Sequence, residues 1–257
     1  MKNRHLILLV LFINFTFSFS QEENKNSYAI SANINVNNNG ISWIPVYSLE
    51  KPSVITDFKI TINNFSINPR FRFDLEDLQP WNIDIYLNYK FKQKKTFAFE
   101  LGTLLPAATF QQFSFENDSG LTESRLTPWM YVFINPKVTI NINSNLKFRI
   151  SYFEGFPTKI VSEYQPKNGR TIFIQPLIKK INVNQKIDLL WMPQLYLTTF
   201  NEDKGYYFSQ NIFLGFKNFP FKISTSLNKA IETELRGKNF DWNIGLSYNF
   251  SKKLTEK

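Results

Sequence analysis

The 257-residue chain contains no cysteine, and its single histidine, His5, lies close to the N-terminus. Beyond residue 20 there is neither a thiol nor an imidazole. This excludes serine–histidine and cysteine–histidine nucleophile pairs, the usual zinc sites and any disulfide framework. Glycine is sparse, at 9 residues. After the first twenty positions no apolar run approaches the ~20 residues that a membrane-crossing helix needs. Positive charge is scattered, with no run longer than KQKK at 92–95. The clustered basic stripe of a nucleic-acid-binding surface is therefore missing. No catalytic residue, no cofactor and no metal site is expected, and the chain does not read as an enzyme.

What is present begins with MKNRHLILLVLFINFTFSFSQ. Lys2, Arg4 and His5 precede an apolar run from Leu6 to Ile13. Ser18 and Ser20 place small residues at the −3 and −1 positions of a cut before Gln21. This is the pattern of a secretory signal peptide over residues 1–20. Asn14 interrupts the run, which argues against an anchor. With no cysteine at the cut, lipid attachment is excluded. The expected mature chain, 21–257, carries 28 basic and 21 acidic residues, a net +7.

The unusual number is 27 phenylalanines, beside 11 tyrosines and 5 tryptophans. Aromatics favour strands, and over most of the mature chain the apolar period is two. Tyr28, Ile30, Ala32, Ile34 and Val36 alternate with polar or small residues. Trp81, Ile83, Ile85, Leu87, Tyr89 and Phe91 do the same, as do Phe240, Trp242, Ile244, Leu246, Tyr248 and Phe250. Twelve strands are expected, the last over 238–250. They are joined alternately by short turns (NN, KQKK, NSN, NQK, KNFP) and by longer connections. One strand runs from near Leu126 to Ile142 with apolar residues on both parities, and a bulge near Asn135-Pro136 would switch its faces. An even strand count with short turns at one end predicts an all-β fold. It would be a single antiparallel transmembrane β-barrel with short periplasmic turns and longer extracellular loops.

Aromatics near strand ends, such as Trp81 with Phe91 and Phe58 with Phe65, suit two interfacial girdles, so the apolar face is read as facing lipid. The lumen would then hold Asp57, Lys59, Arg70, Arg72, Asp74, Asp84, Lys90, Glu100, Lys147, Arg149, Asp188, Lys222 and Asp241. If Asn63-Asn64 is a two-residue turn, Ile62 faces Phe65 and Asp57 faces Arg70. Arg72 then falls opposite or diagonal to Asp84, with Tyr86 near Arg70. The cluster Asp57, Arg70, Arg72 and Asp84 is read either as a structural brace or as a constriction that binds a charged solute.

Two long apolar loops are expected. Segment 37–53 carries Trp43 and Tyr47, and segment 104–124 carries Phe110 and Phe113. They would either cap the barrel or form a lid for an apolar ligand. ENDSG at 116–120 has some calcium-binding residues but lacks the spacing of an EF-hand loop.

The stretch KPSVITDFKITINNFSINPRFRFDLEDLQPWNIDIYLNYKF, 51–91, resembles uncharacterised outer-membrane β-barrel proteins of Gram-negative bacteria. GLSYNF at 245–250 resembles the terminal aromatic signal read by the barrel-assembly machinery, although seven residues follow Phe250. The resemblance implies an outer-membrane location, lipid and the assembly machinery as partners, and no nucleic acid. The barrel phospholipase and the lipid A palmitoyl-transferase depend on histidine, so resemblance to them fails. The expected function is passive passage of small or amphiphilic molecules; the alternative is a non-conducting binding or structural barrel.

Overall fold

The computed structural model describes residues 27–91, 94–116, 122–162, 164–178, 181–183, 185–217 and 219–255. The expected signal peptide and the residues around 117–121, including most of ENDSG, lie outside the described residues. Twelve antiparallel strands follow one another around a closed sheet. They are β1 (Ser27–Asn37), β2 (Ser53–Ile62), β3 (Phe65–Asp74), β4 (Pro80–Lys90), β5 (Phe97–Glu116), β6 (Thr122–Asn141), β7 (Leu146–Pro157), β8 (Gly169–Ile178, continued at Ile181–Asn182), β9 (Ile187–Phe200), β10 (Asp203–Phe216), β11 (Phe221–Thr233) and β12 (Phe240–Thr255). Each pairs with its sequence neighbours. The ring closes where β12 pairs with β1, from Ser27 opposite Thr255 to Asn37 opposite Gly245.

Alternation sets the two faces. Ile30, Ile34, Val36, Ile60, Trp242, Ile244, Leu246 and Phe250 are among many large apolar side chains exposed on the outside. Such a continuous apolar belt is incompatible with water and matches the lipid face of a membrane-spanning barrel. The opposite parity of the same strands supplies Asn37, Asn243 and Ser247, all buried. Closure also removes every sheet edge, which hydrocarbon demands because it offers no partner to a free N–H or C=O.

The Asn63-Asn64 turn forms as its residues require. Asn63 takes the left-handed region (φ 52°), which asparagine tolerates, and Ile62 stands opposite Phe65. Four other expectations are corrected. Segment 104–124 is not a loop. β5 and β6 continue through it as a long hairpin, paired from Phe97 opposite Ile140 out to Glu116 opposite Thr122, so β6 begins at Thr122 rather than near Leu126. NEDKG is not a loop either. Asn201 (φ 52°) and Glu202 form a two-residue turn, and Asp203 already pairs with Phe200. The last strand does not stop at Phe250. It runs five residues further, with Lys252 opposite Ile30. Finally, the bulge near Asn135-Pro136 lies instead on β5. There the register slips between Leu104 and Ala107 against both β4 and β6. Leu105 and Pro106 together stand where each neighbouring strand has a single residue, Ile85 or Val132, and this one extra residue carries the lumen face from Glu100 and Leu104 to Ala107 and Phe113, while β6 keeps one parity throughout.

Two glycines make room for lumen rings. A Cβ on Gly155 would stand 2.3 Å from Phe133 Cε1, and one on Gly169 would stand 2.6 Å from Phe200 Cε1. Each ring lies over a strand position that lacks a side chain. Gly155→Val should therefore displace Phe133 and destabilise the barrel by about 1–3 kcal/mol, the usual range for overpacking. The urea midpoint of the refolded variant measures this. A midpoint equal to the parent's would show that the ring moves freely.

Candidate functional site

Segment 38–52, between β1 and β2, does not stand above the barrel. It folds into the bore, with a short 3-10 turn at Pro45–Tyr47. Trp43 lies edge-on to Phe173 of β8, at 5.3 Å between ring centroids, and near Phe153 of β7 at 6.0 Å. Tyr47 meets Trp129 of β6 and Phe200 of β9. Its carbonyl accepts from Trp81 Nε1 of β4 at 2.8 Å. Tyr196 Oη of β9 donates to the Trp43 carbonyl at 2.5 Å, and Asn228 of β11 donates to the Ser42 carbonyl. Asn39 reaches Asp241 on β12. Anchors on β4, β6, β9 and β11 lie around most of a twelve-strand ring, so the segment crosses the lumen rather than hugging one wall. Its far end is held outside the bore. Lys51 donates to Asp77 at 2.8 Å, with Asp74 at 3.6 Å and Glu76 at 3.4 Å. The hydrogen bond to Asp77, reinforced by Asp74, raises the Lys51 ammonium above its ordinary range despite some desolvation.

Below the segment the wall is charged on one side. Asp57 stands opposite Arg70 and accepts from its Nε. Asp84 stands opposite Arg70 on β4, and Arg72 reaches Asp84 diagonally at 4.0 Å. Arg70 lies over Tyr86 at 5.2 Å and Arg72 over Trp81 at 5.3 Å. Further along, Lys137 donates to Glu100 and to Asn88, both at 2.5 Å. On the other side of β2, continuing around the ring, β1, β12, β11 and β10 present mainly neutral amides and hydroxyls: Asn35 donates to Ser224 and Ser247, and Ser226 donates to Asn211. The charged wall thus adjoins an asparagine–serine wall at the β1–β2 pairing. Under segment 38–52, against the inner faces of β3 to β9, lies a cavity of about 310 Å³, lined by Trp43, Tyr47, Arg70, Arg72, Lys137, Arg149 and Phe173 among others.

A closed barrel with an apolar exterior, a polar bore and a crossing loop can be compared with known structures. Two solved porins superimpose on it. The NanC porin does so with a TM-score of 0.50 at 11% identity, covering 84% of this chain and 98% of that one. The KdgM porin gives 0.50 at 11%, covering 86% and 99%. The fold is that of outer-membrane porins. No protein-family model matches the sequence, and no curated protein matches it either.

Within this porin fold the four charges Asp57, Arg70, Arg72 and Asp84 form one connected group on β2, β3 and β4. Of the four aromatic residues singled out in the sequence, Trp43 and Tyr47 lie inside the bore, not on an outer loop. Phe113 packs towards Trp129 from β5. Phe110 pairs with Pro128 on the opposite face of the hairpin and does not join them. The aromatics are also not all outward. Trp81, expected in a girdle, is buried in the bore because the register slips between Arg72 and Phe73 and turns it inward. Trp129, Tyr131, Phe153, Phe173, Tyr196 and Tyr207 form an inner arc that the sequence reading missed.

Lys137 was missed as well. It shares the parity of Trp129, Tyr131 and Phe133, so a lone lysine on that parity marks the lumen side of β6. A double-mutant cycle on Asp57→Ala and Arg70→Ala should show a coupling of about 0.5–1 kcal/mol, as for a partly exposed cross-strand ion pair. Unfolding by urea reads it; strictly additive losses would deny the direct contact.

Proposed function

We propose that the protein is a narrow passive channel of a Gram-negative outer membrane, passing small polar or amphiphilic solutes. The observation that carries this is the polar bore crossed by segment 38–52, with a cavity left beside the crossing. Such a lumen restricts passage by size without removing water or polar contacts from the path. The two superimposed structures are named as porins, which supports a channel for this chain. The absence of histidine and cysteine from the mature sequence supports a channel rather than an enzyme. Lipid surrounds the apolar belt, and the aromatic-rich last strand supports recognition by the barrel-assembly machinery. A second reading is a non-conducting barrel, and the anchors that hold segment 38–52 on many strands favour it.

The test is single-channel recording of the refolded protein in a planar bilayer. Small, reproducible current steps are expected. Silence from protein shown by circular dichroism to be folded would overturn the channel and leave the second reading.

A further inference from the structure

We infer that the cavity under segment 38–52 is a binding site for a small carboxylate with a flat, apolar, ring-sized body, an inference that rests on reading the bore as a solute path. The cavity has two chemically different sides. Its upper side is formed by Trp43, Phe153 and Phe173, whose rings lie within 5.3–6.0 Å of one another as edge-on or tilted pairs. Its wall side carries Arg70, Arg72, Lys137 and Arg149, with Asp84 as the one acid lining it.

These cations are not equally occupied. Arg70 is bound to Asp57, and Lys137 to Glu100. Arg72 meets Asp84 only at 4.0 Å, its side chain is 11% exposed, and its Nε has no hydrogen-bond partner among the described residues. Arg149 makes one hydrogen bond among the described residues, 3.4 Å to Thr139 Oγ1, and no carboxylate there lies within ion-pair distance. Two guanidinium groups therefore retain donor capacity towards one cavity. A guanidinium presents a planar fork that matches a carboxylate, and a buried donor left without an acceptor carries a standing penalty that a ligand oxygen removes. The aromatic side supplies a face for an apolar ring. The volume, about 310 Å³, is at the lower end of the range for small-molecule pockets.

The probe is phenylacetate, compared with phenylacetamide, which keeps the ring and loses the charge, and acetate, which keeps the charge and loses the ring. Binding is measured by calorimetry on the detergent-refolded barrel, and by block of single-channel current. Phenylacetate is expected to bind at least about tenfold more tightly than either control, the ratio that one charge-assisted hydrogen bond supports. Arg149→Gln should remove about the same factor while the barrel still refolds. Equal affinity for phenylacetamide, or an unchanged phenylacetate affinity in both Arg149→Gln and Arg72→Gln, would overturn the site. So would the absence of phenylacetate binding to the folded parent. The two proposals fail separately. A conducting barrel indifferent to phenylacetate removes the site and keeps the channel, whereas a silent barrel that binds phenylacetate keeps the site and removes the channel.

Discussion

Replacing residues 41–49 with a short glycine–serine link should raise the unitary conductance severalfold while leaving the strand content of the barrel unchanged. Residues 41–49 contribute no rung to the closed ladder: β1 and β2 pair directly from Tyr28 opposite Ile62 to Asn37 opposite Ser53. What it contributes is obstruction, through the Trp43 and Tyr47 rings and the backbone between them. Once it is gone, Trp81 Nε1, Tyr196 Oη and Asn228 lose carbonyl acceptors. Water entering the opened bore replaces those bonds at little net cost. Tyr47→Ala should lie between the parent and the shortened form, because it removes the contacts to Trp129 and Phe200 but leaves the Trp43 end in place. Single-channel recording on all three proteins makes the comparison. A shortened form that conducts no better than the parent would show that the restriction lies elsewhere, with the charged wall the next place to look.

The second large effect is expected at Asp84. Asp84→Asn should destabilise the barrel by about 2–3 kcal/mol, whereas Arg72→Gln should cost less. The carboxylate is only 4% exposed and stands between two guanidinium groups, Arg70 across the ladder and Arg72 on the diagonal. Asparagine keeps its shape and removes its charge, leaving both cations beside each other. Breaking a fully buried ion pair costs about 3–5 kcal/mol; the cavity on one side admits water and lowers the figure. Arg72→Gln keeps a side-chain donor beside Asp84 and leaves Arg70 opposite it on the ladder, so the carboxylate still has a cation across the strand pair. Urea unfolding in lipid or detergent reads the difference. A loss of less than about 0.5 kcal/mol, typical of an ordinary surface site, would mean that solvent already screens the group.

The period-two pattern carried most of the barrel into view, because a lipid-facing belt imposes strict alternation on each strand. The Asn63-Asn64 turn set the register of β2 against β3, and with it the Asp57–Arg70 pairing. Legibility failed where backbone pairing departs from simple alternation. The slips at Trp81 and at Leu105–Pro106 each change parity once, and a parity count cannot locate such a change without the partner strand. Segment 104–124 reads as a loop because Gln111, Gln112 and the polar run ENDSG interrupt its alternation, whereas β5 and β6 stay paired out to Glu116 opposite Thr122. The inner arc failed for a different reason. Trp129, Tyr131 and Phe133 face the bore by the parity of β6, and they are buried there because segment 38–52 brings Tyr47 down upon them. That burial exists only in three dimensions; Lys137 on the same parity marks the side of the strand but not the loop that covers it.

The seam between β1 and β12 has a kinetic consequence. Every other strand pairing joins neighbours along the chain; this one joins the two ends of the barrel sequence. Its loop-closure entropy is the largest in the molecule, so it should form last. Until it does, Ser27–Asn37 and Phe240–Thr255 each expose a row of backbone donors and acceptors that hydrocarbon cannot satisfy. A half-zipped seam is therefore a high-energy state, and closure should proceed in a single cooperative step. Asn35, which ties β1 to Ser247 and Ser224 from the water side, then acts as a latch. Its loss should show in how fast a closed barrel reopens more than in how fast one forms.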